Sequence, residues 1–344
     1  MSTVYVAIGC DTDPDRREVL DGTPSERLAW RGMLEGIPLL KGSLGTIRDS
    51  RGREPVFTWL LRVDEQIRRM EGTYAWVLEA HRPFLRGLEA AGDELGWHPH
   101  FWRFDLERRR WYQEVRDADW QVEMLRAAHA AYVAHLGGGP KSVRMGWGYH
   151  NNRTFATLEE LGLLVDFSAI PGLATLREGA PPHEGNLFDW SPTPRHPYRP
   201  ARADCRRPAL GTEPAHRLLE APNFVSTSRL WGLVSGLQMA RKTGSPAQLS
   251  RALRRPTYWV NLTGRPALFA PLVRALGRAV CARNEASTLF ATYFHPDELL
   301  PNRSGLYSLE SVRANLASIL ETCARAGAAV EFIPASRIAG LSLT

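Results

Sequence analysis

The sequence predicts an α/β fold built on a mainly parallel sheet or barrel, and three observations carry that prediction. Short apolar, β-rich runs alternate with longer segments of helical periodicity along the 344 residues. The chain opens directly on one such run, from Thr3 to Ile8. Finally, carboxylates, imidazoles and a guanidinium collect just after several apolar runs, and parallel α/β folds gather chemistry beyond the C-terminal ends of their strands.

Candidate strands, in order, are 3–10, 55–61, 94–101, 142–147, 163–167, 217–221, 257–262, 287–294 and 329–333. Helical patterns lie between them at 64–69, 76–91, 117–136, 154–161, 267–283 and 308–326. The last has Ser308 placed as N-cap, Glu310 in the first turn and Gly327 as the stop. Gly92 stops the helical stretch before it, so 94–101, bounded by Leu95 and Phe101, reads as a short strand. Residues two apart on a strand share a face, which makes His98 and His100 project together. Residues 103–116, with Trp111 and Tyr112, read as a hairpin insertion. Residues 181–214 hold eight of the 24 prolines and little periodicity, so an insertion over about 172–216 reads as a lid or substrate wall carrying Asp189, Trp190 and Tyr198. No internal repeat is visible, and 1–344 reads as a single domain.

Composition excludes several classes. With 44% hydrophobic and 23% charged residues the chain reads as an ordinary soluble globular protein. It lacks the run of about 18 apolar residues that a membrane span needs. The N-terminus has no basic region followed by an apolar core and cleavage site, and the four cysteines (Cys10, Cys205, Cys281, Cys323) lie far apart without metal spacing. Both point to a cytoplasmic protein. The net charge of +6 rests on 40 arginines against three lysines, a skew that codon bias explains. Arg108, Arg109 and Arg110 form a solvated cluster without a nucleic-acid motif, so nucleic acid is not the expected partner. A small molecule or glycan is; the oligomeric state is not legible.

The strand-end residues have a chemical logic. Asp11 and Asp13 follow the first strand at strand spacing, Arg144 and Trp147 end the fourth, and His295 ends a late one. Two imidazoles on one face are half of a metal site, for which a carboxylate is the usual missing partner. Trp97, Trp102, Trp147 and Tyr149 lie near strand ends, where they could stack on a sugar or other ring, or serve as core. His150 and Asn151 are polar contacts or turn residues.

The order of these motifs resembles the polysaccharide deacetylase (NodB-homology) superfamily, as a divergent relative of carbohydrate esterase family four. The carrying residues are Asp11-Thr12-Asp13, Phe57-Thr58-Trp59, Glu94-Leu95-Gly96-Trp97-His98, Arg144, the segment from Leu161 and Gly162 to Asp166 and Ser168, and His295-Pro296-Asp297-Glu298. The resemblance spans essentially the whole chain and implies a distorted (β/α)7 barrel with a divalent metal, usually zinc, held by Asp, His and His. It implies Asp11 as general base, Asp13 and His98 as metal ligands, His295 as the acid that protonates the leaving group, and Arg144 as the residue that orients the base. Asp166 joins the expected substrate-binding residues.

Three departures stand out. Thr12 separates two aspartates that are usually adjacent, which leaves their roles open to exchange. The family's second histidine lies four residues after the first, where this chain has Trp102, so His100 is the substitute expected on physical grounds. Gly146 stands where a proline usually follows the arginine. The expected activity is metal-dependent hydrolysis of a C–N amide bond, such as deacetylation of an N-acylated amino sugar or small glycoside. Metal-activated water, an Asp base and a His acid would serve the two ends of that bond. The alternatives are a metal-free cyclic-amide hydrolase and a non-catalytic ligand-binding or scaffold descendant of the same barrel.

Overall fold

The first strand, β1 (Thr3–Thr12), is buried at all but its first and third positions, as a strand covered on both faces must be. In the computed structural model, which describes residues 2–15, 28–173, 188–243, 247–282, 287–301 and 305–342, this strand organises an eight-stranded parallel sheet. One edge pairs with β11 (Thr288–Phe294) from Val4 to Cys10. The other edge is shared: β12 (Ala329–Ile333) pairs with Thr3 to Ala7, and β2 (Thr58–Leu61) with Gly9 to Thr12. From β2 the order runs through β3 (Glu94–Trp97), β6 (Ser142–Val143), β7 (Val165–Asp166) and β10 (Leu219–Glu220). A backbone hydrogen bond of 2.8 Å from Phe224 to Ala291 joins the segment after β10 to β11. The result is the distorted parallel α/β barrel the motifs implied, with its irregularity where two strands share one edge of β1.

Helices surround the sheet, and their ends follow local chemistry. Asp64 caps α2 (Glu65–Glu71), Asp117 caps α5 (Ala118–Leu136), and Ser308 caps α10 (Leu309–Arg325), each accepting a backbone N–H at the third helical residue. Asn151 and Thr154 form a capping box on α6 (Asn152–Glu160). The helical pattern at 76–91 is two helices, α3 (Trp76–Ala80) and α4 (Arg82–Ala90), because His81 leaves helical geometry just before Pro83. A π-helical turn (Gly32–Gly36) running into α1 (Ile37–Ser43), and the pair α7 (Arg229–Thr243) and α8 (Ala247–Arg254), escaped the sequence reading. The helix α9 (Pro266–Ala282) did not.

Three strand expectations change. The strand expected over 142–147 stops at Val143, and Gly146–Gly148 forms a 3-10 turn. Residues 257–262 make only a single bridge, from Tyr258 to Ser226. The third strand stops at Trp97, short of both histidines: His98 makes one more ladder bond, to Leu61, and Pro99 has no N–H to continue it. Residues Trp102–Asp105 (β4) and Arg110–Gln113 (β5) pair as an antiparallel hairpin. Within the proline-rich stretch, Pro200–Ala201 (β8) pairs antiparallel with Asp204–Pro208 (β9), while 174–187 lie outside the described residues.

Candidate active site

The parallel register of β1, β2, β3 and β11 brings their C-terminal ends to one mouth. Asp11 is the penultimate residue of β1, and Asp13 follows two residues later, its N–H bonded to the Asp11 carbonyl at 2.8 Å. Both are almost fully buried, at 1% and 2% exposure. The histidines after β3 approach from one side and His295, just after β11, from the other. His98 Nε2 lies 3.6 Å from Asp13 Oδ2, His100 Nε2 lies 3.8 Å from Asp13 Oδ1, and His295 Nε2 lies 3.5 Å from Asp11 Oδ2. Asp11 Oδ1 is buried without a hydrogen-bond partner, an acceptor aimed at something the protein alone does not supply.

Although β3 ends early, the two imidazoles still meet, through the loop. His98 Nδ1 sits 2.5 Å from the Arg144 carbonyl, His100 Nε2 sits 3.0 Å from His98 Nε2, and the Trp102 indole N–H donates to His100 Nδ1 at 3.1 Å. The His100 N–H is held by Asp64 at 3.0 Å. The His100 ring lies flat on Gly146, where any Cβ would fall inside the ring's van der Waals envelope. That close approach requires glycine at 146.

A residue absent from the sequence reading completes this centre. Arg62, the first residue after β2, is fully buried and donates to Asp13 Oδ1 at 2.7 Å, to Gln66 at 2.7 Å and to Asp64. The strand-end rule that located Asp11 and His295 would have found it, since it follows Leu61 directly. Burial alone would push the Asp13 carboxyl up, but His98, Arg62 and His100 outweigh it and hold Asp13 well below the usual carboxylate range. Burial, Arg62 and His98 push His100 far down, so its ring is neutral. Burial lowers His98 while Asp11 and Asp13 raise it more. The Nε2–Nε2 contact with His100 opposes that rise, because a second proton would set two N–H groups head to head.

Asp13, His98 and His100 offer ligand atoms within 4.8 Å of one another, a set that could hold a metal ion. Asp13 Oδ2 and His98 Nε2 face such an ion: the first is clear of Arg62, and the second is turned inward because Nδ1 serves a carbonyl. His100 fits less well, since its Nδ1 accepts a proton donor.

Arg144 follows β6, its backbone N–H bonded to the Trp97 carbonyl, and its guanidinium donates to Asp11. Burial works against its charge, but Asp11 and Tyr293 hold it protonated. The loop is set from below: Ser168 Oγ accepts the Met145 N–H at 2.8 Å and donates to Asp166 Oδ1 at 2.5 Å. Asp166 itself is fully buried, 2.9 Å from His150 Nε2, and does not reach the pocket, so it supports the arginine loop instead of touching a substrate. His150 is likewise buried, and Asn151 is the cap of α6.

The pocket over these groups has a volume of about 660 Å³, in the range of small-molecule sites. Of the aromatic residues read from the sequence, Trp147 lines it, at φ 58° between two glycines. The other three do not. Trp97 is fully buried and gives its N–H to the Val63 carbonyl at 2.9 Å. Trp102 is buried against Met70 and Trp111, and Tyr149 gives its hydroxyl to the Val115 carbonyl at 2.9 Å. The wall is made instead by Trp190, Trp231, Tyr258, Trp259 and Tyr293. Trp190 comes from the proline-rich segment; the others follow β10 or belong to β11. A second cavity of about 340 Å³, beside Arg195, Arg278 and Thr288, opens at the start of β11 and holds none of these groups.

His295 is carried by a 3-10 turn (Pro296–Leu299) that the π-helical turn at Gly32 presses against, closely enough that a Cβ on Gly32 would strike the Asp297 backbone. Asp15 accepts the Gly32 N–H at 2.7 Å and ties that turn to the end of β1.

No family model matches the chain, and no curated protein matches it in sequence. Among solved structures, a protein from Parabacteroides distasonis assigned as a glycoside hydrolase/deacetylase superposes with a TM-score of 0.54 at 14% identity, over 98% of this chain and 70% of that one. The chain shares that protein's barrel fold. A protein from Mycobacterium smegmatis assigned as a polysaccharide deacetylase gives 0.48 at 18% identity, over 98% and 90% of the two chains. PuuE allantoinase gives 0.49 at 12%, over 98% and 89%. At such identities the likeness is one of fold. No described helix is long and apolar enough to cross a membrane.

Proposed function

We propose that this chain is a hydrolase of a C–N amide bond, acting on an N-acylated amino sugar or small glycoside. The observation that supports it most is the buried Asp11 carboxylate: its Oδ2 is bonded to Arg144 and lies 3.9 Å from His98 Nε2 and 3.5 Å from His295 Nε2, while its Oδ1 has no hydrogen-bond partner. A carboxylate so oriented keeps one oxygen free to accept a proton, which is what a general base needs.

Asp11 takes a proton from water as it attacks the acyl carbon. Arg144, fixed by Tyr293 beneath it, keeps Asp11 aimed. His295, on the far side of β1 from His98, gives a proton to the departing nitrogen, since an amine leaves poorly as an anion. The indole and phenol rings of the pocket wall offer stacking faces to a sugar ring. A divalent ion such as zinc, bound to Asp13 and His98, would polarise the acyl oxygen and acidify the attacking water. The test is acetate release from a panel of N-acetylated amino sugars by the wild-type chain and by Asp11→Asn. Release that the variant lacks supports the proposal, and no release from any member of the panel rejects it.

A metal-free hydrolase of the same bond class is the second reading. It is favoured by Arg62, which already neutralises Asp13 from within. Full activity retained after exhaustive chelation selects it.

A further inference from the structure

We propose that the cavity at the start of β11 is a second ligand site, built for a small oxyanion with an apolar body, such as an aryl phosphate or an aryl carboxylate. Its volume of about 340 Å³ lies at the small end of the range for small-molecule sites. It is separate from the catalytic pocket, and the two share no lining residue. Val225 is the partition: it lines this cavity and packs with Ile170 and Leu173, which line the pocket. The site goes beyond the hydrolytic reading and does not depend on it.

The lining divides by chemistry. Arg195, His196 and Arg278 bring N–H donors, two of them permanently cationic, and Thr227 and Ser287 add hydroxyls. Among the described residues no carboxylate lines the cavity, and neither arginine has an ion-pair partner. Several exposed arginines elsewhere do, such as Arg86 with Glu89, Arg126 with Glu160 and Arg207 with Glu213. The positive charge is also concentrated here. Burial first, and the charge of Arg255 second, lower Arg195 from the ordinary guanidinium value. Arg255 is itself held by the Ser191 carbonyl at 2.8 Å. An anion seated among these groups would relieve their repulsion, and the planar guanidinium fork suits phosphate or carboxylate oxygens.

The remaining wall is apolar and preformed. Phe224, Val225 and Leu289 line it, with Ala275 and Ala279 of α9. The Phe224 ring lies against Phe290, their centres 4.8 Å apart, and Ser226 exchanges backbone hydrogen bonds with Tyr258 at 2.9 and 3.0 Å. Such a wall offers nothing to a bare hydrated ion but covers a ring or a short chain.

The experiment is calorimetric titration of the full chain with four probes: phenyl phosphate, benzoate, inorganic phosphate and benzyl alcohol. Wild type is compared with Arg195→Ala, Arg278→Ala and the double variant. The better of the two aryl anions, which names the preferred head group, is expected to bind at least about tenfold more tightly than inorganic phosphate or benzyl alcohol. Each single substitution should weaken it about tenfold, as loss of one charge-assisted contact does, and the double variant should not bind it. Both arginines are exposed and unpaired among the described residues, so an unchanged Tm would show that lost binding is not lost fold. Undiminished binding by the double variant would put the probe elsewhere and overturn the proposal. Failure of both aryl anions to bind wild type would do the same, as would inorganic phosphate binding as tightly as the better one. None of these readouts uses acetate release, so failure here is distinct from failure of the proposed reaction.

Discussion

The guanidinium of Arg144 lies over the Tyr293 ring, 3.6 Å from its centre, while its Nη1 donates to Asp11. Stacking fixes the plane of the cation, and the ion pair fixes its direction. A lysine would keep the charge and lose both the planar fork and the stacking face. Arg144→Lys is therefore expected to lower kcat about 10²-fold and Asp11→Asn about 10³-fold, within the range general-base catalysis supplies. Steady-state kinetics on the best N-acetylated substrate checks this, with circular dichroism to show the fold intact. Arg144→Lys at wild-type kcat would refute the orienting role.

The aromatic residues divide into wall and core. Trp259 lines the pocket and gives its N–H toward the Tyr293 hydroxyl at 3.4 Å, whereas Trp97 is sealed behind β3. Trp259→Ala should raise KM roughly tenfold, equivalent to about 1.4 kcal/mol of lost ring contact. Trp97→Phe should leave KM alone and lower Tm, through lost volume and an unpaired Val63 carbonyl. Measuring KM and Tm on both variants decides; a KM change in Trp97→Phe would contradict the core assignment.

Arg62 ties Asp13 and Asp64 together without any contact with solvent. Removing one partner of a buried ion pair costs about 3–5 kcal/mol, and here two carboxylates lose theirs, so Arg62→Met is expected to be among the most destabilising single changes. Its pH signature has a defined sign. The depressed Asp13 value stabilises the fold above the unfolded carboxyl value of about 3.9 and is lost as pH falls through the folded one. With Arg62 gone, Asp13 titrates higher and acid unfolding begins at a higher pH. Urea denaturation from pH 3 to 7 reads both effects.

Glu220 shows the opposite sign. Burial first, and Asp166 beside it, push its carboxyl well above the usual range, so it folds protonated, with its Oε1 accepting the Ala169 N–H at 3.1 Å. That contribution is complete below the unfolded value of about 4.3 and is lost as pH rises through the folded value. Glu220→Gln keeps acceptor and donor and removes the titration. Calorimetry between pH 5 and 9 should show Tm of the variant falling less toward alkaline pH than that of wild type. Parallel curves would refute the assignment.

The fold class was legible because parallel strands buried on both faces leave continuous apolar runs such as 3–10 and 287–294, and because polar residues after those runs marked one end of the barrel. Asp11, Asp13, His98, Arg144 and His295 come together as that end-of-strand logic implies. The pairing of His98 with His100 was also anticipated, but for a strand geometry that Pro99 does not permit. What stayed hidden depends on directions that spacing does not encode. Trp97 and Trp147 are both aromatic residues near strand ends, and only backbone geometry turns one inward and the other into the pocket. Arg62 was passed over because an arginine among 40 carries little signal until its burial is known.

The His100 ring resting on Gly146 links two features that look independent in the sequence. A proline at 146, usual in the resembled family, and an imidazole at 100 compete for the same space. Gly146 cannot gain a side chain while His100 keeps its ring, whereas His100 can be shortened beside Gly146. Among relatives of this chain, histidine at 100 should therefore be found only beside glycine at 146.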